Sequence, residues 1–492
     1  MTHPKSNSDT QPSDGHSQPE PKHLTHLREM KRAMAHTVIP FLGLSEPTIS
    51  AAGTRRLHEA NPTATQQHQA HTRPPADILL EADFVQAQRQ AQPEQMQAEL
   101  PRMVQYDLYH LVEAMPESRA AAPNDAMHSF FHRKEAHDTL LDHCQYFLDQ
   151  QSFLMLMWHT YHPGWEDQDF YRITNQTGIS EPIGFDDTMN NPFNMMHLPD
   201  ALSRGEQQKI IKQTIKDFDA KVPKARQAPF FRQKLDRIAD FAKALADRKA
   251  SAIFRPYHEH SPGNWFWWCL DNLSDDPAEA ADIYRELFQK TRAYLERQGV
   301  DNLLYCYSPD LPFQRPFENK ADFLAHYHRG MPDAEQVEVL GMDAYLWKLF
   351  MPDDQEAFAN ASTIKDQAAQ RSEYYRILAR PWGRALQMCT WLREEYPDKL
   401  VGLTETGWNY KKWGDFNGEP IEEFWQQLGT QTVLALPEKE RPHFLCLWRN
   451  DIGDRYCPWD NGSNSFAQEA VAIARDWETQ VVDLPPSSST IV

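Results

Sequence analysis

The sequence predicts an α/β protein, a single-domain (β/α)8 (TIM) barrel with long inserted loops, and three observations predict it. Eight short runs rich in β-branched and aromatic residues recur along the chain. Most are apolar from end to end, as expected of parallel strands covered on both faces. The stretches between them are long enough for a crossover helix, and several are amphipathic.

The runs are TVIPFLGL (37–44), RMVQYDLY (102–109), FLMLMWHT (153–160), SAIFRPYHE (251–259), NLLYCYSP (302–309), VEVLGMDAY (337–345), LVGLTETG (400–407) and HFLCLWRN (443–450). The first fits the pattern least well. The clearest crossover helix is predicted over 277–298. There Asp276 can cap, Pro277 suits the first helical position, Glu279 can complete a capping box, and Gly299 ends the helix. Its apolar stripe, Ile283, Leu287, Tyr294 and Leu295, suits a helix lying against a sheet. The barrel is expected to occupy 35–480, with polar tails at 1–25 and 485–492 that hold too little apolar area to order themselves.

Composition narrows the function. Forty percent apolar residues and 14 Trp can build a large core, while a mean hydropathy of −0.70 and the lack of a long uncharged apolar run argue against a membrane span. A formal charge of −20 repels nucleic acid and anionic membranes, so neither is expected as a partner, and a neutral partner suits the chain better. Six scattered cysteines match no zinc or disulfide spacing and read as free thiols in a reducing compartment. No signal peptide follows Met1, so a cytoplasmic location is expected. A start at Met30 would instead give MKRAMAHTVIPFLGL a secretion signal's basic start.

In such a barrel catalytic groups sit at the C-terminal strand ends. The fourth run ends in Tyr257, His258 and Glu259, and the seventh in Thr404, Glu405, Thr406 and Gly407. Two carboxylates facing each other over the mouth are what glycosidic cleavage needs: one protonated to serve the leaving oxygen, one ionised to attack the anomeric carbon. Sugar rings stack on Trp through their C–H faces while their hydroxyls need polar partners. Trp158 and His159, Asp343 and Tyr345, and Trp448, Arg449 and Asn450 end other runs and supply both kinds of contact.

FRPYHEHSPGNWFWW (254–268) resembles the acid/base segment of glycoside hydrolase family 26, an Arg-Pro-x-His-Glu run followed by Gly-x-Trp-Phe-Trp-Trp. MLMWHTYHPG, NLLYCYSP, VLGMDAY, LTETG and LCLWRND continue the resemblance in the family's order, over at least 150–460. The resemblance implies retaining hydrolysis of β-linked polysaccharides or oligosaccharides, most often β-1,4-mannan, with neither cofactor nor metal. Glu259 is similar to the family's acid/base and Glu405 to its nucleophile. Tyr345 resembles the tyrosine that hydrogen-bonds the nucleophile, and His258 takes a place that the wider clan often gives to Asn. His159, Trp265 and Trp448 resemble sugar contacts, while Arg255 with Asp343 supports the carboxylate cluster. Glu405 is expected to stay ionised and Glu259 to hold its proton at rest.

Cys269 stands where the family pattern has Gly, which implies tighter packing behind the loop. The stretch 166–250 is long for one connection and can narrow or cap the cleft. Trp267 and Trp268 suit core more than sugar platforms. Mixed-linkage β-glucan and β-1,3-xylan are the alternative substrates within the family. From other classes, His258 and His260 with His159 and Asp343 could ligate the ion of a metal-dependent barrel hydrolase, and a sugar-binding protein without turnover would keep the fold alone.

Overall fold

The computed structural model describes residues 41–45, 103–112, 153–160, 162–163, 203–218, 230–261, 266–311, 317, 319–407 and 431–447, with a few helical positions between 137 and 148. The predicted tails at 1–25 and 485–492 lie outside the described residues, as does Cys457.

Eight parallel strands close into a barrel in chain order. They are β1 (Phe41–Ser45), β2 (Met103–Asp107), β3 (Phe153–Trp158), β4 (Ala252–Pro256), β5 (Leu303–Tyr307), β6 (Val339–Tyr345), β7 (Leu400–Gly407) and β8 (Phe444–Leu447). Every predicted run contains a strand. In the first run the described strand is Phe41–Ser45. The fold is therefore the predicted (β/α)8 barrel.

Burial on both faces explains why the runs are apolar throughout. Inside the barrel Met103, Met155, Ile253, Leu304, Cys306, Val339, Leu400, Phe444 and Cys446 pack together. The outward residues, such as Val104, Leu154, Leu156, Phe254 and Leu403, join the larger core beneath the helices. These include α1 (Tyr109–Val112), α2 (Arg204–Asp217), α3 (Phe230–Asp247), α4 (Leu270–Leu273), α5 (Pro277–Arg297), α6 (Lys320–Tyr327), α7 (Pro352–Ala361), α8 (Gln367–Glu395) and α9 (Gln431–Ala435). Helix α5 matches its prediction closely: the Asp276 carboxylate accepts from the N–H of Ala278, and Ile283, Leu287, Tyr294 and Leu295 are buried. Its capping box is not formed. Glu279 instead accepts from Ser274 Oγ and from Lys212 Nζ of α2, two side-chain donors that outcompete the N-cap amide.

The described parts of the 166–250 stretch are α2 and α3. Helix α2 packs beside α4 and α5, with Lys212 on Glu279 at 2.7 Å and Arg204 on Asp275 at 3.0 Å.

One irregularity reshapes the inner face of β7. Gly341 pairs with Gly402 and Met342 with Leu403, but Asp343 pairs with Glu405, so Thr404 is an extra residue in the strand. The pairing of β7 with β8 slips at the same place, between Leu403 and Thr406. This is a β-bulge, and it puts two consecutive side chains on the inner face of a strand that otherwise alternates.

The same strands meet closely at glycine. A Cβ on Gly402 would lie 2.7 Å from the Phe444 ring and within overlap of the Phe444 carbonyl oxygen. On Gly383 inside α8 it would meet nothing within 4 Å. Gly402→Ala should therefore cost about 1–3 kcal/mol or more through overpacking, whereas Gly383→Ala should add about 0.5–1 kcal/mol by helix propensity. Thermal unfolding of the two variants checks this, and a Gly402→Ala protein as stable as wild type would contradict the close approach of β7 to β8.

Candidate active site

The site grows from the inward side of β4. Because side chains alternate on a strand, Ile253 and Arg255 share the inner face, and Arg255 is completely buried there. Its Nη1 donates to Glu405 Oε1 at 2.7 Å and its Nη2 to Asp343 Oδ2. The bulge in β7 makes this possible, since Thr404 and Glu405 both point inward. Thr404 Oγ1 donates to Asp343 Oδ1 at 2.7 Å, Ser308 Oγ reaches the same oxygen at 3.1 Å, and Tyr345 OH donates to Glu405 Oε2 at 2.6 Å.

After β4 the chain turns sharply. Tyr257 and Glu259 both take positive φ, 52° and 51°, a left-handed conformation that costs a non-glycine residue about 1–3 kcal/mol. The segment is held by its own carbonyls. Tyr284 OH donates to the Tyr257 carbonyl at 2.8 Å, Trp268 Nε1 to that of His258 at 2.7 Å, and the Leu270 N–H to that of His260 at 3.0 Å. The Cys269 thiol donates to the Glu259 carbonyl at 3.4 Å, and the Glu259 N–H bonds the Ser308 carbonyl at 3.0 Å. Burial pushes that thiol's pKa up, so it stays a donor. Trp267 and Trp268 are fully buried, and Trp267 Nε1 fixes the Thr160 carbonyl at 2.9 Å.

The histidines separate into two groups. His258 Nε2 lies 3.8 Å from Glu405 Oε1, and its ring meets the His159 ring edge-on at 4.4 Å. Burial first, then Arg255 and the other histidines, hold His258 well below the ordinary histidine range, so it is neutral beside Glu405. His159 Nδ1 pairs with Asp107 Oδ2 at 2.6 Å. His260 faces elsewhere: it stacks on Tyr284 at 4.1 Å and its Nε2 lies 3.0 Å from both Tyr307 OH and the Arg329 carbonyl.

Glu259 Oε1 receives Lys348 Nζ at 3.3 Å, and Lys348 also donates to both oxygens of Asp310 at 2.7 Å. Lys348 sits on a 3-10 turn, Leu346–Leu349, directly after β6, with its ammonium 5.3 Å from the Tyr345 ring centre. Burial pushes the Glu405 carboxyl up, Arg255 pulls it back, the Glu259 charge pushes it up again, and the Tyr345 hydrogen bond opposes. The direction is upward, against the simple expectation that the arginine and tyrosine donors decide it. Desolvation of a fully enclosed carboxylate is the larger effect.

The structure thus brings Arg255, His258, Glu259, Asp343, Tyr345 and Glu405 to one end of the barrel, with His159 beside them. Trp265 and Trp448, as well as Arg449 and Asn450, lie outside the described residues. Asp107, Asp310, Ser308 and Lys348 were not singled out from the sequence. The first two stand at or just past the ends of the second and fifth runs, which strand-end reasoning could have flagged. Lys348 had no such signal.

The postulated metal set does not assemble, because His260 is committed to the Tyr307 side and His159 to Asp107. Among the described residues His258, Asp343 and Glu405 do hold donor atoms within 4.8 Å of one another. A guanidinium already binds both of those carboxylates, so the cation this cluster needs is supplied by Arg255.

Comparison with known proteins bears on this geometry. Residues 205–371 match the family model described as Glycosyl hydrolase family 26, a span that includes Arg255–Glu259 and Asp343–Lys348 and ends before Glu405. A mannan endo-1,4-beta-mannosidase of Bacillus subtilis is 38% identical over 112 residues, 23% of this chain and 28% of that protein. The mannan endo-1,4-beta-mannosidase A and B of Caldalkalibacillus mannanilyticus is 25% identical over 152 residues, 30% of this chain and 27% of its own length. The chain therefore aligns with little more than a quarter of these relatives. The structure of a family 26 beta-mannanase from Bacteroides ovatus is similar with a TM-score of 0.48 at 17% identity, covering 93% of this chain and 94% of that one.

Arg255→Met should leave two buried carboxylates without a counter-charge, which destabilises by about 3–5 kcal/mol at neutral pH. In that variant the folded state binds protons more tightly than unfolded carboxyls do. Stability should therefore rise as pH falls and be lost as pH climbs through the raised folded values. Melting curves between pH 4 and 8 check the sign; equal destabilisation throughout would refute the charge argument.

Proposed function

We propose that the chain, whose residues 205–371 match the model of Glycosyl hydrolase family 26, is a member of that family and cleaves β-1,4-mannosidic bonds in mannan or manno-oligosaccharides with retention, by double displacement. The observation that carries the reading is Glu405, seated by Arg255 and Tyr345, with its ionisation sensitive to the charge of Glu259.

In the first step Glu405 attacks the anomeric carbon while Glu259 passes its proton to the departing glycosidic oxygen. The C–O bond to the leaving sugar breaks as the bond to Glu405 forms. In the second, Glu259 takes a proton from water, whose oxygen displaces Glu405 and restores the β configuration. Arg255 holds one oxygen of Glu405 and Tyr345 the other, which fixes the orientation of the carboxylate. Neutral His258, together with His159 anchored by Asp107, offers ring nitrogens to sugar hydroxyls, and Trp265 and Trp448 serve as stacking platforms. The relatives' descriptions as mannan endo-1,4-beta-mannosidases support mannan as the substrate.

Two measurements test the reading. Proton NMR of manno-oligosaccharide cleavage should show the β-anomer first, and Glu405→Gln and Glu259→Gln should each lower kcat by about 10²–10⁴-fold without loss of fold. First appearance of the α-anomer would overturn double displacement. Cleavage of mixed-linkage glucan or β-1,3-xylan but not of mannan would overturn the sugar assignment alone. Because the Glu405 carboxyl is pushed upward, the acid limb of kcat/KM should lie above the ordinary glutamate value of about 4.3, activity falling as protonation removes the nucleophile. A limb below that value would contradict it.

A further inference from the structure

The ammonium of Lys348 lies within 3.3 Å of three carboxylate oxygens, two from Asp310 and one from Glu259. Lys348 and Asp310 are almost fully buried, with side chains 5% and 1% exposed, while Glu259 keeps 15%. Asp310 has further support: its Oδ1 accepts from the Leu311 N–H at 2.8 Å, and its backbone bridges to Asp343. Among the described residues Lys348 is the one side chain that hydrogen-bonds the Glu259 carboxylate. An ammonium has three donors in fixed tetrahedral directions, so two placed on a rigid aspartate constrain where the third points.

We propose that Lys348 is a positioning residue for Glu259, holding its carboxylate in the site and stabilising it once its proton has gone, while Asp310 sets how much of that charge Glu259 receives. The inference rests on the proposed role of Glu259 as acid/base. A carboxylic acid that must donate a proton and then wait as a carboxylate gains from a nearby cation only in the second state. An unshared lysine would favour that state too early. Sharing the lysine with Asp310 leaves a weaker pull.

The titratable groups that face Glu259 come from several elements. Lys348 follows β6 and Asp310 follows β5, Asp343 and Glu405 stand on β6 and β7, and the Cys269 thiol faces its carbonyl from before α4. The Glu259 charge pushes each of these three carboxyls up, and Lys348 is the cation at contact distance from Glu259 itself.

The test compares wild type, Lys348→Met, Lys348→Arg, Asp310→Asn and the charge-neutral pair Lys348→Met with Asp310→Asn, by two readouts. The first is the pH dependence of kcat/KM on manno-oligosaccharides and on an aryl β-mannoside with an activated leaving group. The second, independent of turnover, is the titration of glutamate carboxyl carbons by 13C NMR, with Glu259→Gln assigning the resonance. In Lys348→Met the alkaline limb and the Glu259 resonance should move up by about one pH unit, and in the charge-neutral pair by less but in the same direction, since Lys348 is the group in contact with Glu259. Oligosaccharide turnover should fall about tenfold while the activated substrate, which needs no proton, is spared. Lys348→Arg should restore both, and Asp310→Asn should move them the other way. If neither readout moves when the charge-neutral pair folds, Lys348 serves only Asp310 and the inference fails. If the resonance moves but wild type cuts no β-linked glycan, the inference stands as a property of the cluster and the hydrolase reading fails.

Discussion

One guanidinium sealed inside the barrel governs the site. Arg255 has no access to solvent, and neither does Asp343, while Glu405 keeps almost none. A single positive charge thus offsets two buried carboxylates, and what remains falls to hydroxyl donors from Ser308, Thr404 and Tyr345. The cluster stays short of positive charge because burial and Arg255 itself keep His258 neutral. A protonated imidazole there would compete for the Glu405 oxygen that Arg255 holds. The shortage is felt at Glu405, pushed upward by burial and by the Glu259 charge.

The strained turn after β4 is the second requirement, and it answers why so many rings crowd behind Glu259. Two left-handed excursions so close together, at Tyr257 and Glu259, would be unfavourable in a loop free to relax. Here each carbonyl from Tyr257 to His260 has a donor, and two of these donors, Trp268 and Cys269, come from the aromatic run itself or the residue after it. The indoles of Trp267 and Trp268 therefore act as framework, hydrophobic bodies with one N–H aimed at backbone. Cys269 goes beyond the tighter packing its size implied. A glycine in that position would provide no thiol for the Glu259 carbonyl.

Much of this was legible because strands buried on both faces leave an unusual signature, and because a closed barrel gathers strand ends. That reasoning alone reached Glu259, Glu405, His159, Asp343 and Tyr345. It did not reach Lys348, since a residue on a short turn after a strand has no periodicity to mark it, nor Asp107, whose acid ends an otherwise ordinary run. Glu279 fitted a capping box by spacing, yet Ser274 and Lys212, supplied by the preceding loop and by another helix, claimed it. Local pattern proposes partners, and tertiary proximity chooses among them.

The bulge at Thr404 lets β7 present two neighbouring side chains to the barrel interior. With the same residues in strict alternation Glu405 would share the outward face of Val401 and Leu403, among the helices. Loss of Thr404 would restore the regular register with Glu405 opposite Asp343, so the carboxylate would still face Arg255, but Asp343 would lose a hydroxyl donor. The irregular count therefore serves the neighbour as much as the acid: one short stretch of wall delivers both Glu405 and the hydroxyl that tethers Asp343, a pair that a regular ladder would have to draw from two separate strands.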